Sequence, residues 1–237
     1  MKAYFSCGAG DFIAMESFMT LQEKQNISEF ALFTRAAETI SDLISLHPIW
    51  KNRKIHICMT PEEILGFGVY AFYSIRHLKT ITGRDWPILQ DAIDISGEVF
   101  YPGILSGVRK FRGSGFEVTP CNEPDICVID SESHADDRLV KLGRNLTSTE
   151  LAYVKQWIHS RSFHFVEVGV GKTTVKEALS WVAGCKEFYG VDSMLAAWAA
   201  RQEGIEKIEV KSVNPVYRRW LPIYDPLSKI KVRGKFI

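Results

Sequence analysis

Short, nearly unbroken apolar runs recur along the chain, each trailed by a stretch whose apolar residues return every three or four positions. The runs Lys2–Ser6, Phe30–Thr34, Lys54–Met59, Asp125–Asp130, Phe163–Val168 and Phe188–Val191 are short and read as strands, of which Asp125–Asp130 and Phe163–Val168 are expected to be buried. The stretches that follow have a helical period. Strand then helix, repeated, predicts parallel pairing with right-handed crossovers and therefore an α/β protein.

Capping chemistry marks where the helices begin and end. Asp11 reads as the N-cap of a helix carrying Phe12, Ile13, Met15, Phe18, Met19 and Leu21, and a second helix runs from about Ala37 to Leu46. Thr60-Pro61-Glu62-Glu63 opens a helix bearing Phe67, Tyr70, Phe72 and Tyr73. Thr147 with Glu150 and Thr174 with Glu177 form capping boxes, Leu146 is placed to staple against Leu151, and Gly184 supplies a C-terminal stop. Asp192 or Ser193 starts a further helix that ends before Gly204. Between Thr80 and Pro124 the periodicity fades among recurring Gly and Pro residues, with a basic patch at Arg109, Lys110 and Arg112. That middle is either a loop that reads a substrate or a solvated connector. The lobe boundary is placed inside it, giving residues 1–122 and 123–237.

Composition narrows the class of protein without naming a ligand. The chain has 237 residues, 46% hydrophobic and 24% charged, enough for one large core or two modest ones. Its net charge of +1 points to no partner, but the residues from Lys207 onward carry eight Lys and Arg against two acids, leaving about −5 for the rest. That tail is a solvated strand-like end or a hold on an anionic partner. Five scattered cysteines (Cys7, Cys58, Cys121, Cys127, Cys185), mostly inside apolar strands and without a C-x-x-C pair, predict reduced core thiols and no metal site. No signal peptide and no run of the roughly 18 to 20 apolar residues a bilayer needs is evident, so a cytoplasmic protein is expected, one able to touch a membrane surface.

The candidate chemistry sits at strand-to-helix junctions. Gly8 and Gly10 bring backbone close to whatever lies over the first strand, and Asp11 is either a bare helix cap or a carboxylate able to take a proton from a hydroxyl. Val166-Glu167-Val168-Gly169-Val170-Gly171-Lys172-Thr173-Thr174 and Gly190-Val191-Asp192-Ser193-Met194 are two further junctions, where helix N-termini offer N–H groups to an anion such as a phosphorylated ligand. His134, in a polar loop, is a ligand contact or simply exposed.

The order of these features resembles the metal-independent, two-lobed Rossmann (GT-B type) glycosyltransferases, and within them the lipopolysaccharide heptosyltransferase-like family. Gly8-Ala9-Gly10-Asp11 is similar to the family's G-x-G-D turn, Arg144 followed by Leu146-Thr147-Ser148-Thr149-Glu150-Leu151 to its L-T-x-x-E-L helix start, Gly171-Lys172-Thr173-Thr174 to its G-K-T-S turn, and Gly190-Val191-Asp192-Ser193 to its G-x-D-S-G junction. Met194 stands where the family has a small residue. The resemblance implies a compact version of two Rossmann-like lobes facing a central cleft: residues 1–122 on the acceptor side and 123–237 binding a nucleotide-sugar donor, with no cofactor. It further implies that Asp11 is the general base, that Gly8 and Gly10 shape the loop facing the donor sugar, and that Asp192 holds sugar hydroxyls. The N–H groups after Asp192 and Ser193, around Met194, would meet the diphosphate, Lys172 or Arg138 would supply the cation a metal provides elsewhere, and Thr173 would also contact the donor. The acceptor would be a surface glycan or a modified DNA base; for DNA, the Arg109 patch and the Lys229, Lys231, Arg233 and Lys235 tail would neutralise phosphates.

Three rival readings are open. An S-adenosylmethionine-dependent methyltransferase matches the acidic-Gly-x-Gly turn at Glu167–Gly171 and a later acid at Asp192, but Lys172 replaces the third glycine. A P-loop NTPase lacks the first required glycine, its place being taken by Val166. A non-catalytic binding protein on the same fold is the third, against which Asp11 supplies an ionisable group.

Overall fold

The computed structural model describes residues 2–5, 8–60, 63, 71–72, 107, 109–123, 125–133, 140, 142–169 and 171–236. The chain divides into two compact units, residues 1–117 and 118–237.

In the first unit, β1 (Lys2–Phe5), β2 (Glu29–Leu32), β3 (Lys54–Ile57) and β4 (Ala71–Phe72) form one sheet in the order β3-β2-β1-β4. Every pair is parallel, with Lys2 opposite Glu29 and Glu29 opposite Lys54. The helix expected after β1 is two helices, α1 (Ala9–Glu16) and α2 (Leu21–Asn26). The break has a local cause: Thr20 accepts from the Glu23 N–H at 3.1 Å while Glu23 returns a bond to the Thr20 N–H at 2.7 Å. This capping box, legible as Thr-x-x-Glu, restarts the helix where continuous apolar spacing predicts none. Five consecutive α1 residues from Phe12 to Glu16 are buried, so the helix is sunk in the core rather than laid on it. Phe5, Phe12, Phe30 and Trp50 pack around it with ring centroids 4.9–5.8 Å apart. α3 (Ala37–Ser45) follows β2 as expected. The Thr60–Glu63 cap forms, but Phe72, expected on the helix it opens, lies in strand β4, and Phe67, Tyr70 and Tyr73 lie outside the described residues.

The stretch 109–117 lies along this unit without regular structure. Arg112 N–H donates to the Ser17 carbonyl at 2.9 Å, Gly115 N–H to the Glu16 carboxylate at 2.9 Å, and Glu117 N–H to the Leu46 carbonyl at 3.1 Å. Of the two readings left open for this part of the middle, a purely solvated connector does not fit: the segment is strapped to the core by its own backbone.

In the second unit, β5 (Ile126–Asp130), β6 (His164–Val168), β7 (Glu187–Val191), β8 (Lys207–Lys211) and β9 (Ile230–Arg233) form a sheet in the order β6-β5-β7-β8-β9, again all parallel. The helices are α4 (Ser148–Ser160), α5 (Val175–Gly184), α6 (Met194–Ala199) and α7 (Pro215–Tyr224). Both expected capping boxes form, at Thr147–Glu150 and at Thr174–Glu177. Gly184 is the last residue of α5, and its role is closeness: a Cβ there would lie 2.1 Å from the Cys121 carbonyl oxygen. That contact, with Cys121 N–H donating to the Ser180 carbonyl at 3.1 Å and the Ser180 hydroxyl to the Thr119 carbonyl at 2.6 Å, moves the boundary. Residues 118–122, expected in the first lobe, are held by α5 and belong with the second unit. The C-terminal tail is strand β9, paired with β8 and not merely solvated.

Both units are therefore Rossmann-like parallel α/β structures. The four described cysteines, Cys58, Cys121, Cys127 and Cys185, are free thiols, and burial pushes Cys127 and Cys185 up to about 12. Cys7 lies outside the described residues. No described helix is long and apolar enough to cross a membrane.

Candidate active site

In a parallel sheet, the strand order decides where a ligand fits. Where successive connections leave neighbouring strands in opposite directions, the loops part and leave a crevice outside the strands' C-terminal ends. The order β6-β5-β7-β8-β9 places that switch point between β5 and β7, and the order β3-β2-β1-β4 places the other between β1 and β4.

At the first unit's switch point, the loop after β1 carries Gly8, Gly10 and Asp11. Gly8 is the N-cap and Asp11 the third residue of α1, so Asp11 is not the cap that the sequence indicates. Its carboxylate folds back to accept the Gly8 N–H at 3.0 Å, which fixes the side chain at the positive end of α1. Gly10 lies within the first turn of the helix.

At the second unit's switch point several polar side chains meet. β5 ends at Asp130, whose side chain is 1% exposed, and the Ser193 hydroxyl at the end of β7 donates to it. Burial pushes Asp130 up to about 7, against the pull of the Ser193 hydrogen bond and the charges of Arg144 and Lys172. Beside it, Lys172 Nζ donates to the Ser131 hydroxyl at 3.2 Å and to Glu167 at 3.0 Å. The turn that delivers Lys172 depends on Gly169, at φ +123°, a conformation L side chains rarely adopt, and a Cβ there would press within 3.3 Å of Asp130. Thr173 pins the same turn by accepting the Gly169 N–H at 3.2 Å.

Asp192, which the resemblance implies holds sugar hydroxyls, directly follows β7. Its carboxylate is buried, held by Arg144 Nε at 2.5 Å and by the Ser212 hydroxyl at 2.7 Å. Arg144 also donates to the Asp192 carbonyl. Burial pushes Asp192 up despite Arg144 and Ser212. It anchors Arg144 through one oxygen and Ser212 through the other. The amides of Leu195 and Ala196 donate to the Ser193 hydroxyl at 3.1 and 3.3 Å, and Ser193, not Asp192, is the cap of α6. Met194 is the first, half-buried residue of that helix. Arg138 and His134 lie outside the described residues.

Sequence reading missed Asp130, Ser131 and Tyr217 as site residues. Asp130 had a signal, since a fully apolar strand ending in an acid puts a carboxylate at a ligand-binding edge. Tyr217 had none: its buried hydroxyl has no hydrogen-bond partner among the described residues, and burial with the nearby charges of Asp192 and Asp225 pushes its pKa up. Among the described residues no group of three or more His, Cys, Asp or Glu side chains is placed to hold a metal.

The basic stretches are partly absorbed by the protein itself. Arg109 pairs with Glu23 at 2.9 Å, Arg233 with Glu209 at 2.6 Å, and Lys229 Nζ donates to the carbonyls of Gln202 and Glu203. Lys231 and Lys235 are exposed.

No protein-family model matches the sequence, and no curated protein matches it. Among solved structures, the chain is similar to the bacterial iron-containing dodecameric glycosyltransferase TibC from enterotoxigenic E. coli H10407, at a TM-score of 0.47 and 13% identity, over 88% of this chain. It spans 58% of that protein's chain.

Proposed function

We propose that this protein is a glycosyltransferase that moves a hexosyl or heptosyl group from a nucleotide sugar to a hydroxyl acceptor, without a metal and with Asp11 as general base. The observation that carries the reading is the pair of switch points, one bearing a backbone-fixed carboxylate after a Gly-rich turn and the other a cluster of Asp130, Ser131, Lys172 and Ser193. In this reading the first unit takes the acceptor and the second the donor, the division of labour of a two-lobed transferase.

On the donor side, Lys172 is the cation for the diphosphate, where leaving-group charge grows as the glycosidic bond breaks. The Tyr217 hydroxyl is a group a ligand atom or water would satisfy, because a buried donor without a partner costs about 1–3 kcal/mol. Asp192 keeps Arg144 in place and has no direct hold on the sugar. The acceptor is a surface glycan in preference to a modified DNA base, because Arg109, Lys229 and Arg233 already have partners within the protein. The methyltransferase reading loses support, since the Gly169–Gly171 turn follows β6, the edge strand, and not either strand that flanks the switch point.

A thermal-shift screen tests this directly, because a ligand that binds only the folded chain raises the midpoint by mass action. The expected result is stabilisation by one class of nucleotide sugar, weakened in Lys172→Ala. Stabilisation by S-adenosylmethionine and by no nucleotide sugar would overturn it. Salt-sensitive retention on duplex DNA would transfer the acceptor assignment to DNA.

A further inference from the structure

Away from the strand ends, the second unit holds a cavity of about 160 Å³ between α4 and the strands β7, β8 and β9. Tyr153, Val154 and Trp157 of α4 form one wall, Tyr189, Lys207, Glu209 and Arg233 of the strands form another, and Phe236 closes it. None of these residues belongs to the cluster around Asp130.

Tyr153 and Trp157 are four residues apart and so share a face of α4, and they stay 47% and 42% exposed. Single exposed aromatic residues are ordinary on a protein surface. Two at the mouth of a cavity with a polar wall are the composition of a ligand site, with flat apolar surface for contact and a few fixed polar groups for orientation. That polar wall is rigidly held. The Tyr189 hydroxyl donates to Glu187 at 2.6 Å and receives Trp157 Nε1–H at 3.2 Å, Lys207 at 3.1 Å and Arg161 at 3.0 Å.

Charge and size decide what fits. Arg233 lies 2.6 Å from Glu209 and Lys207 3.4 Å from it, while Arg161 donates to Glu187 at 2.8 Å. Each cation is matched to a carboxylate, so no unpaired positive charge remains to draw a phosphate. The wall nevertheless keeps many N–H donors and carboxylate acceptors at fixed positions, which suits a ligand rich in hydroxyls. A cavity of about 150 Å³ admits one six-membered ring. Hydroxyls around such a ring meet the polar wall, and its C–H face lies against an indole or phenol.

We propose that this cavity is a sugar-binding site for a single neutral pyranose unit, separate from the strand-end site and independent of the transferase reading. Tyr153 takes the ring's C–H face, the Trp157 ring already having Arg161 and Lys207 at 4.9 and 5.6 Å from its centroid, and Glu209, Arg233 and Lys207 take its hydroxyls.

Saturation-transfer NMR on the full chain with the methyl glycosides of glucose, galactose, mannose and N-acetylglucosamine tests it. Transfer to ring protons of at least one glycoside is expected, at the millimolar affinity of about −4 kcal/mol usual for so small a ligand, and it should fall about fivefold or more in Tyr153→Ala and Trp157→Ala. Trp157→Ala removes the hydrogen bond to Tyr189 and can cost folding, so Tyr153→Ala, whose side chain lies at the surface, decides the matter provided its thermal midpoint is kept. The signal should persist in the presence of a nucleotide sugar. Absence of transfer from all four glycosides, transfer unchanged in a folded Tyr153→Ala variant, displacement by the nucleotide sugar, or stabilisation by inorganic phosphate without any glycoside signal would each overturn the proposal.

Discussion

Glu16 in the first unit and Asp130 in the second are both carboxylates only 1% exposed, yet their surroundings push them in opposite directions. For Glu16, burial alone would raise the pKa, but the adjacent His47 ring, the Lys24 ammonium and the Gly115 N–H outweigh it and hold the carboxyl below the usual range. Lys24 Nζ pairs directly with Glu16, His47 Nε2 is 3.4 Å away, and the Ser114 hydroxyl donates at 3.2 Å. Asp130 has a hydroxyl in place of a cation in direct contact, so burial wins. The contrast teaches that burial of a charge does not mark a site by itself. A carboxylate closed off by its own counter-ion is architecture, here the clamp that holds the 109–117 strap. One left short of compensation at a strand's C-terminal end has capacity for a ligand or a proton.

Breaking the closed cluster should have the largest effect. Glu16→Ala leaves Lys24 buried without its partner and should cost about 3–5 kcal/mol of stability, measured by denaturant unfolding; a loss under 1 kcal/mol would show that the cluster is solvated like a surface pair. Gly115→Ala should act through the same clamp, since a Cβ there would lie 2.8 Å from His47 Nε2 and 2.9 Å from the Glu16 carboxylate. Next comes Asp11, also in the first unit: Asp11→Asn should lower turnover about a hundredfold or more while leaving the fold and nucleotide-sugar affinity nearly intact. Unchanged turnover would remove the general-base role.

The opposite pKa directions also predict opposite pH signatures. Glu16 contributes stability above its ordinary value of 4.5, and that contribution is lost as pH falls through its lowered folded value. Asp130 binds its proton more tightly in the folded chain, so its contribution is present below 3.8 and is lost as pH rises toward about 7. Asp130→Asn should therefore gain stability relative to the native chain across that window, by on the order of 1–2 kcal/mol after allowance for relaxation around the site. A pH-independent difference between the two chains would show that Asp130 does not titrate there. The smallest expected effect is at Lys172→Ala, which should weaken nucleotide-sugar binding about three- to tenfold, read by calorimetry; undiminished affinity would move the diphosphate elsewhere.

Much of the frame follows from local sequence. Apolar runs of strand length locate β1, β2, β3, β5, β6 and β7, and the S/T-x-x-E signals at Thr147 and Thr174 start their helices where local hydrogen bonding demands. The same rule, applied at Thr20, accounts for the α1–α2 break that apolar spacing conceals. Helix α7 is less legible because it carries Pro222 inside it, a residue that in sequence reads as a stop.

The site was legible only as fragments. Lys172, Thr173, Asp192, Ser193 and Met194 stand out by motif, and so do Gly8, Gly10 and Asp11, because glycines and capping residues act over three or four positions and leave their mark in sequence. What Asp192 touches is another matter: Arg144 is 48 positions away and Ser212 is 20, and no local rule pairs them. The amino-acid order by itself determined that this is a parallel α/β chain with glycine-rich and polar strand-to-helix turns, since propensity, capping and apolar patterning are local properties. Only the tertiary structure decided which strands are neighbours. Strand order fixes where the switch points lie, and it thereby set Asp130 beside Ser193 at one of them, while the fold brought Arg144 to Asp192.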